Sequence, residues 1–315
     1  METEFIAWLR ERLPPHPQLL LGPGDDAALL RLSDRPECLV TVDLLTDQVD
    51  FRLAESDPRL IGRKALAVNL SDIAAMAGRP LAAVIALALP RPGALELATK
   101  LYEGMLPLAV EYQVAVAGGD TNCWDGPLAI SVTLLGETSE RGALCRTGAR
   151  PGDAIVVTGS FGGSILGRHF DFTPRVREAL VLNARYELHA AIDVSDGLSL
   201  DLARLANASG CGARINTAEV PIADAARDLA QRDLAQRDLA QCDGAAGDAL
   251  AHALGDGEDF ELLLAVPPDA ARRMLAEQPL DVPLTVIGQF VTEPGLWQND
   301  VGGVLRPLVP RGWIH

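Results

Sequence analysis

Aspartate is the residue type whose placement in this chain could do chemistry. Asp25 and Asp26 follow a Gly22-Pro23-Gly24 break, and Asp43 closes Thr41-Val42-Asp43. Asp72 stands beside Asn69 and Ser71 inside the apolar stretch Ala65–Ala77. Asp120 follows Gly118-Gly119, and Asp193 and Asp196 bracket Ser195 ahead of Gly197. A carboxylate in an apolar helix costs free energy unless it is paired or bound to a metal ion, which singles out Asp72. Phosphoryl transfer is the chemistry that would use such a set, because it needs positioning and charge neutralisation more than a covalent nucleophile. Magnesium takes carboxylate and water oxygens, one or two carboxylates per ion beside the phosphates, so several ions call for several aspartates. Taken singly, Asp25-Asp26, Gly118-Gly119-Asp120 and Ser195-Asp196-Gly197 are also ordinary turns or helix starts. Composition and spacing alone reach an acidic α/β protein, with metal dependence left open.

Other signatures are missing. There is no G-x-x-x-x-G-K-[ST] loop and no protein-kinase motif set. His16, His169, His189, His252 and His315 are scattered without H-E-x-x-H spacing, and core or surface roles account for them better than catalysis. The loop Gly159-Ser160-Phe161-Gly162-Gly163 could cradle a phosphate, but a tight strand-to-helix turn is the preferred reading.

The elements that must position these residues follow from periodicity and breakers. Phe5, Ile6, Trp8, Leu9 and Leu13 predict a helix behind Thr3. Ala27–Leu32 and Cys38–Leu45 predict strands. Asp57-Pro58 can cap and start a helix that Gly78 ends. Leu81–Leu89 suits a buried strand, Ala94–Tyr112 a helix, Val114–Ala117 a short strand, Gly118–Thr121 a turn and Leu128–Gly136 a strand. Arg141–Asp153, rich in Gly, Arg and Pro, marks a domain boundary, giving halves at 1–140 and 141–315. The second half reads as strand Ala154–Thr158, strand Ala191–Val194, helix Leu198–Ala208, and strands Phe260–Val266 and Leu284–Phe290 flanking a helix. The fold class is α/β in two halves, closer to α+β than to a regular parallel array. The sequence DLAQR at Asp228–Arg232 recurs at Asp233–Arg237 and partly at Asp238–Gln241. A five-residue period turns about 140° per repeat, so Leu229, Leu234 and Leu239 cannot form one stripe. Each Asp faces the Arg four positions on, and the segment reads as a surface helix.

Composition limits the partners. With 27 basic and 43 acidic residues the net charge is −16, which argues against nucleic acid as a partner. The apolar run Leu81–Leu89 lies between Pro80 and Pro90, far short of the roughly 20 residues a membrane helix needs. Cys38, Cys123, Cys145, Cys211 and Cys242 contain no C-x-x-C pair, and Met1–Leu13 lacks a signal-peptide pattern. A soluble cytoplasmic protein is expected.

In combination and order, the motifs resemble the thiamine-monophosphate kinase family, within the aminoimidazole ribonucleotide synthetase superfamily. The resemblance runs nearly end to end. It rests on Gly24-Asp25-Asp26-Ala27-Ala28, Thr41-Val42-Asp43, the stretch Lys64–Asp72, Gly118-Gly119-Asp120-Thr121 and Arg146–Asp153. It continues through Ile192–Leu198, Gly257-Glu258-Asp259-Phe260-Glu261-Leu262 and Gly312-Trp313. The resemblance implies a homodimer whose N-terminal halves associate, with ATP bound in a cleft between the halves of each subunit. It implies that ATP and thiamine monophosphate give ADP and thiamine diphosphate. It places magnesium on Asp26, Thr41, Asp43, Asp72, Asp120, Asp193 and Asp196, with Val42 serving through its backbone oxygen. Gly119, Asp120, Arg146, Ser195 and Tyr102 match nucleotide positions, and Glu258 and Trp313 match acceptor positions. Asp43, Asp120 and Asp196 are the catalytic candidates.

Three features depart from the family pattern. Asp50, before Phe51, stands where the family often has a His that meets substrate, so it enters the acceptor set with an altered charge. The tail Gly312-Trp313-Ile314-His315 lacks the usual Asp-His-Phe, and the DLAQR repeat is foreign to the pattern. A relative with another phosphoryl acceptor and a non-catalytic nucleotide-binding protein are the rival readings.

Overall fold

A computed structural model describes residues 19–21, 25–31, 36–237, 248–299 and 304–314. The helix expected over Phe5–Leu13, the Gly22–Gly24 break and the partial third repeat lie outside them. The chain forms two compact units, Met1–Ala143 with Phe170–Val176, and Leu144–His169 with Arg177–His315.

The first unit carries strands β1 (Leu19–Leu21), β2 (Ala28–Leu30), β3 (Cys38–Thr46), β4 (Gly78–Pro90), β5 (Ala115–Trp124) and β6 (Ala129–Thr138). They form one sheet in the order β1-β2-β3-β6-β4-β5. Neighbours are antiparallel except β4 and β5. Two helices, α1 (Pro58–Ala75) and α2 (Ala94–Glu111), complete it. The Asp57 carboxylate accepts the Arg59 N–H at 2.9 Å and Pro58 opens the helix, so α1 begins where the sequence predicts. Ala77, at φ +49°, turns the chain out of α1, and Gly78 already belongs to β4 rather than to the helix end.

Helix α1 packs on β3, β4 and β6 and also against α2. Covered on both sides, it buries Ile61, Leu66, Leu70 and Ile73 together with Lys64, Asn69 and Ser71. A Cβ on Gly62 would lie 2.0 Å from the Leu101 carbonyl oxygen, and one on Gly104 only 1.8 Å from that of Arg59. Glycine is therefore required where the two helix backbones meet.

The expected Gly118–Thr121 turn is part of β5. Gly118, Gly119, Asp120 and Thr121 pair in parallel register with Val84, Ile85, Ala86 and Leu87, across a shift between Ala83 and Val84. Gly118 adopts φ +146°, which other residues rarely do, and Gly119 serves close strand approach, since a Cβ there would lie 1.8 Å from the Ile85 oxygen. The segment Phe170–Val176 joins this unit through Arg63, whose guanidinium donates to the carbonyls of Phe170 (3.0 Å) and Phe172 (2.7 Å). The Tyr112 hydroxyl donates to the Pro174 carbonyl at 2.8 Å.

The later strands are β7 (Ala154–Thr158), β8 (Ala190–Asp193), β9 (Gly212–Asn216), β10 (Leu262–Val266), β11 (Leu284–Val291), β12 (Gly295–Asn299) and β13 (Leu305–Pro307). Their order is β13-β12-β9-β11-β7-β10-β8, and only β9 and β12 run parallel. The helices of this part are α3 (Arg168–Asp171), α4 (Val176–Arg185), α5 (Leu198–Ala208), α6 (Asp224–Arg237), α7 (Ala249–Gly255) and α8 (Pro268–Glu277). Ile155, Val157, Ile192, Leu202, Leu205, Ile287 and Phe290 share one core. The described part of the DLAQR repeat lies in α6, where Ala226 and Ala230 are buried and Leu234 is exposed, as the five-residue period predicts for a surface helix. Asp233 faces His252 Nε2 at 3.3 Å. Two mainly antiparallel sheets with packed helices give the α+β form of the expected class.

Candidate active site

Strand alternation sorts the Thr41-Val42-Asp43 motif between two faces. Thr41 is buried on the face that α1 covers, Asp43 shares that face, and Val42 is 60% exposed on the other. The Thr41 hydroxyl donates a short hydrogen bond to Asp72 Oδ2 on α1. A carboxylate oxygen of Asp26, buried at the entry to β2, lies within 4.8 Å of one of Asp72. The first unit thus brings together Asp26, Thr41 and Asp72 from three elements. Their oxygens suit a hard divalent cation such as magnesium. Asp72 has a physical reason for its place: α1 is buried nearly all round, and Asp72 meets a hydroxyl and a second carboxylate there.

Asp120 and Gly119 sit on the exposed strand β5, where Asp120 Oδ1 accepts the Thr121 N–H at 2.9 Å. Tyr102 lies on α2, and burial pushes its phenol up from its ordinary pKa. Asp50 occupies the turn after β3. Its Oδ2 accepts the Thr46 N–H at 2.6 Å, and its carbonyl accepts from the buried Lys64 ammonium at 2.8 Å. That carboxylate is folded back onto its own turn, beside Gln48 at φ +76°.

In the second unit, β8 ends on the buried Asp193, opposite Leu262 of β10. The Glu258 N–H donates to the Ser195 carbonyl at 2.6 Å, and the Trp313 N–H donates to the Asp196 carbonyl at 2.9 Å. A Cβ on Gly312 would lie 2.5 Å from the Asp196 oxygen, so glycine lets the tail approach that loop. Ser195, Asp196, Glu258 and Trp313, distant in sequence, therefore meet at one loop next to Asp193. The Trp313 side chain is 54% exposed there. Arg146 lies at the start of this unit, where its carbonyl accepts the Ser209 hydroxyl at 2.9 Å.

Sequence reasoning missed the groups that hold this loop. Arg204 Nη1 donates to Asp196 Oδ2, and to Asp201 Oδ1 at 2.9 Å. Asp201 Oδ2 accepts the Asp196 and Gly197 N–H groups at 3.0 Å each. Burial, and then the charge of Asp196, pushes the Asp201 carboxyl up to about 7. The i, i+3 spacing of Asp201 and Arg204 in the first turns of α5 was the available signal. Asp259 and Glu261 were quoted only as motif letters, yet both are buried. Two N–H groups of the Gly-rich loop are already taken up by acids. Gly162 donates to Asp259 Oδ1 at 2.9 Å and Gly163 to Asp256 Oδ2 at 2.8 Å. Tight-turn geometry, with Gly159, Gly162 and Gly163 at φ +62°, +88° and +76°, accounts for that loop without a phosphate.

This fold and these sites define a class. Residues 24–138 match the AIR synthase related protein N-terminal domain, and residues 159–296 match the C-terminal domain of the same family. The chain is 43% identical to the thiamine-monophosphate kinase of Rhodopirellula baltica, with 100% of this chain and 97% of that protein covered. It is 35% identical to that of Escherichia coli K12, with 87% and 85% covered. AaThiL, solved in complex with AMPPCP and TMP, has a TM-score of 0.79 and 26% identity, with 99% of this chain and 95% of that one covered. The thiamine-monophosphate kinase of Stenotrophomonas maltophilia K279a has a TM-score of 0.71 and 34% identity, with 94% and 95% covered. The chain belongs to the thiamine-monophosphate kinase family of AIR synthase-related enzymes.

Asp259 makes one consequence measurable. Its carboxyl is pushed up to about 8, by burial first, with the charges of Glu261 and Asp256 adding and the Gly162 N–H and Arg168 opposing. In the unfolded chain it would ionise near about 3.9. Between those values the folded state holds a proton that the unfolded state lacks. Stability from this group is therefore greatest at low pH, falls by up to about 1.4 kcal/mol per unit as pH rises, and levels off above about 8. Asp259→Asn, neutral and of equal size, should remove that fall. Urea midpoints from pH 5 to pH 8 should decline more for the wild type than for the variant; parallel profiles would refute the assignment.

Proposed function

We propose that this chain transfers the terminal phosphoryl group of ATP to the phosphate of thiamine monophosphate, giving ADP and thiamine diphosphate. The observation that carries this reading is the convergence of Ser195, Asp196, Glu258 and Trp313 on one loop through main-chain hydrogen bonds. Those positions match the family's nucleotide, metal and acceptor contacts. The ligands held by the solved AaThiL complex, AMPPCP and TMP, support the same pair of substrates.

In this reading Gly119, Asp120, Arg146, Ser195 and Tyr102 hold the nucleotide, Arg146 by a guanidinium fork on phosphate oxygens. Glu258 and Trp313 hold the acceptor: the indole stacks on its cationic ring and the carboxylate offsets the charge. Asp26, Thr41, Asp43, Asp72, Asp120, Asp193 and Asp196, with the Val42 carbonyl, are the magnesium ligands. Magnesium, when bound, supplies neutralisation of the phosphate oxygens and of the leaving ADP. An acceptor phosphate oxygen attacks the γ-phosphorus in line while the bond to the ADP oxygen breaks. The acceptor phosphate is already anionic near neutral pH, so no side chain needs to act as general base. Asp50, whose Oδ2 accepts the Thr46 N–H, joins Glu258 and Trp313 as an acceptor residue in this reading.

We further propose a homodimer formed through the uncovered face of the first unit's sheet. Val42, Leu44, Leu81 and Val84 are each more than two-fifths exposed there, and Val42 and Val84 share the register of Thr133 on β6 between them. Apolar side chains on β3 and β4, aligned across Thr133 of the intervening β6, form a patch that a second copy would bury. We place the reaction in the cytoplasm. Cys38, Cys123 and Cys211 form no disulfide, and among the described residues no helix is long and apolar enough to cross a membrane.

Two measurements test these readings. ADP release with ATP and magnesium should require thiamine monophosphate, and Asp43→Asn or Asp196→Asn should lower turnover by about 100-fold or more with the circular dichroism unchanged. Unchanged turnover in both variants would reject the site, and ADP release only with another phosphate ester would reject the acceptor. Sedimentation velocity should give twice the chain mass, and Leu44→Asp should halve it; a monomeric wild type would reject the dimer.

A further inference from the structure

The segment Asp256–Glu261 is strained. Gly257, Glu258 and Phe260 have φ of +76°, +54° and +51°, left-handed values that two of these residue types rarely adopt. Such backbone persists only where its surroundings over-determine it, and it clusters at functional sites. The strained residues are also the ones zipped to the loop after β8. Glu258 N–H donates to the Ser195 carbonyl, Phe260 N–H to the Val194 carbonyl at 2.8 Å, and Val194 N–H to the Glu261 carbonyl at 2.8 Å. A Cβ on Gly257 would lie 2.8 Å from the Asp196 carbonyl oxygen, so the two segments lie backbone to backbone.

One guanidinium clamps this segment from behind. Arg168 Nη1 donates to the Ser160 carbonyl of the Gly-rich loop at 2.6 Å. Its Nη2 donates to the Asp259 carbonyl at 3.2 Å and, by a short bond, to Glu261 Oε1. Nη1 also lies 3.9 Å from Asp259 Oδ1. Glu261 Oε2 in turn accepts the Thr158 hydroxyl at 2.6 Å, and Ser164 Oγ donates to the Gly257 carbonyl at 2.7 Å. The Asp259 and Glu261 side chains are 0% and 1% exposed, so their partners cannot be replaced by bulk water without opening the core. A planar fork that reaches two segments at once is a task lysine's single ammonium cannot reproduce.

We infer that Arg168 is a positioning residue: by tying the Gly-rich loop to Asp259 and Glu261 it holds Glu258 in its left-handed conformation against Ser195. It does not touch substrate. The inference rests on the reading above that Glu258 meets the acceptor, but the position it assigns to Glu258 can be tested without turnover.

The test compares Arg168→Lys and Arg168→Ala with the wild type in the full chain. Hydrogen exchange followed by mass spectrometry should show peptides covering 194–198 and 256–261 exchanging at least tenfold faster in Arg168→Ala. Peptides from β11 and α8 should be unchanged. Steady-state kinetics should show KM for thiamine monophosphate raised at least tenfold in both variants, with a smaller rise in KM for ATP through Ser195. Millimolar guanidinium should recover part of the loss in Arg168→Ala. If Arg168→Ala fails to fold, Arg168→Lys carries both readouts. Unchanged exchange in the two peptides overturns the inference whatever the activity. Equal rises in both KM values overturn it too, since they would mark a general structural role. Faster local exchange in a wild type background that lacks acceptor-dependent turnover would keep the positioning and reject the acceptor reading.

Discussion

Carboxylates brought close together in partly buried sites repel one another, and most of this molecule's functional architecture answers that constraint. Asp201 feels it in part: burial first, and then the neighbouring charge of Asp196, lift its carboxyl to about 7 even though Arg204 bonds both side chains. In the first unit Asp26 and Asp72 approach within 4.8 Å, and a hydroxyl from Thr41 is donated to Asp72. Asp72 lies on a helix and Asp193 at a strand end, while Asp43 and Asp120 stand within strands. Cations placed among such groups would relieve the remaining repulsion, which is what a metal-nucleotide substrate brings.

The scaffold serves this by burying elements on both sides. Helix α1 lies between a sheet and α2, so a polar residue on it faces the interior instead of water. Asn69 Nδ2 accordingly donates to the Ala65 carbonyl at 3.1 Å, and Lys64 reaches the Asp50 carbonyl. In the second unit the edge strand β8 releases the chain at Asp193 into a loop whose carbonyls are taken up by Glu258 and Trp313. Backbone hydrogen bonds to the Ser195 and Asp196 carbonyls fix that meeting.

Much of this was legible in the sequence. Strand Ala154–Thr158 and helix Leu198–Ala208 fall on the predicted residues, because a β-branched run and a Gly-to-Leu helix start leave little choice. The Asp57-Pro58 helix start was read from its capping chemistry. The Gly118–Thr121 segment was not legible, since paired glycines signal a turn locally, and only the parallel neighbour β4 makes them strand residues. For the same reason Gly78 ended a helix on paper and begins a strand in the fold. Ordered motifs gave the proposed site residues. Their support did not show: nothing in local spacing joins Arg168 to Glu261, or Thr41 to Asp72, across the folded chain. Asp50 looked like an added charge in the acceptor region, and the turn it caps was visible only in three dimensions.

We propose that Asp72 of the first unit and Asp193 of the second are metal ligands. The most direct test is to count Mn2+ ions bound to the chain by electron paramagnetic resonance in the presence of AMPPCP. The wild type should retain tightly bound Mn2+. Asp72→Asn from the first unit and Asp193→Asn from the second should each weaken that binding by about tenfold or more with the fold intact. Equal Mn2+ binding by all three proteins would contradict the account.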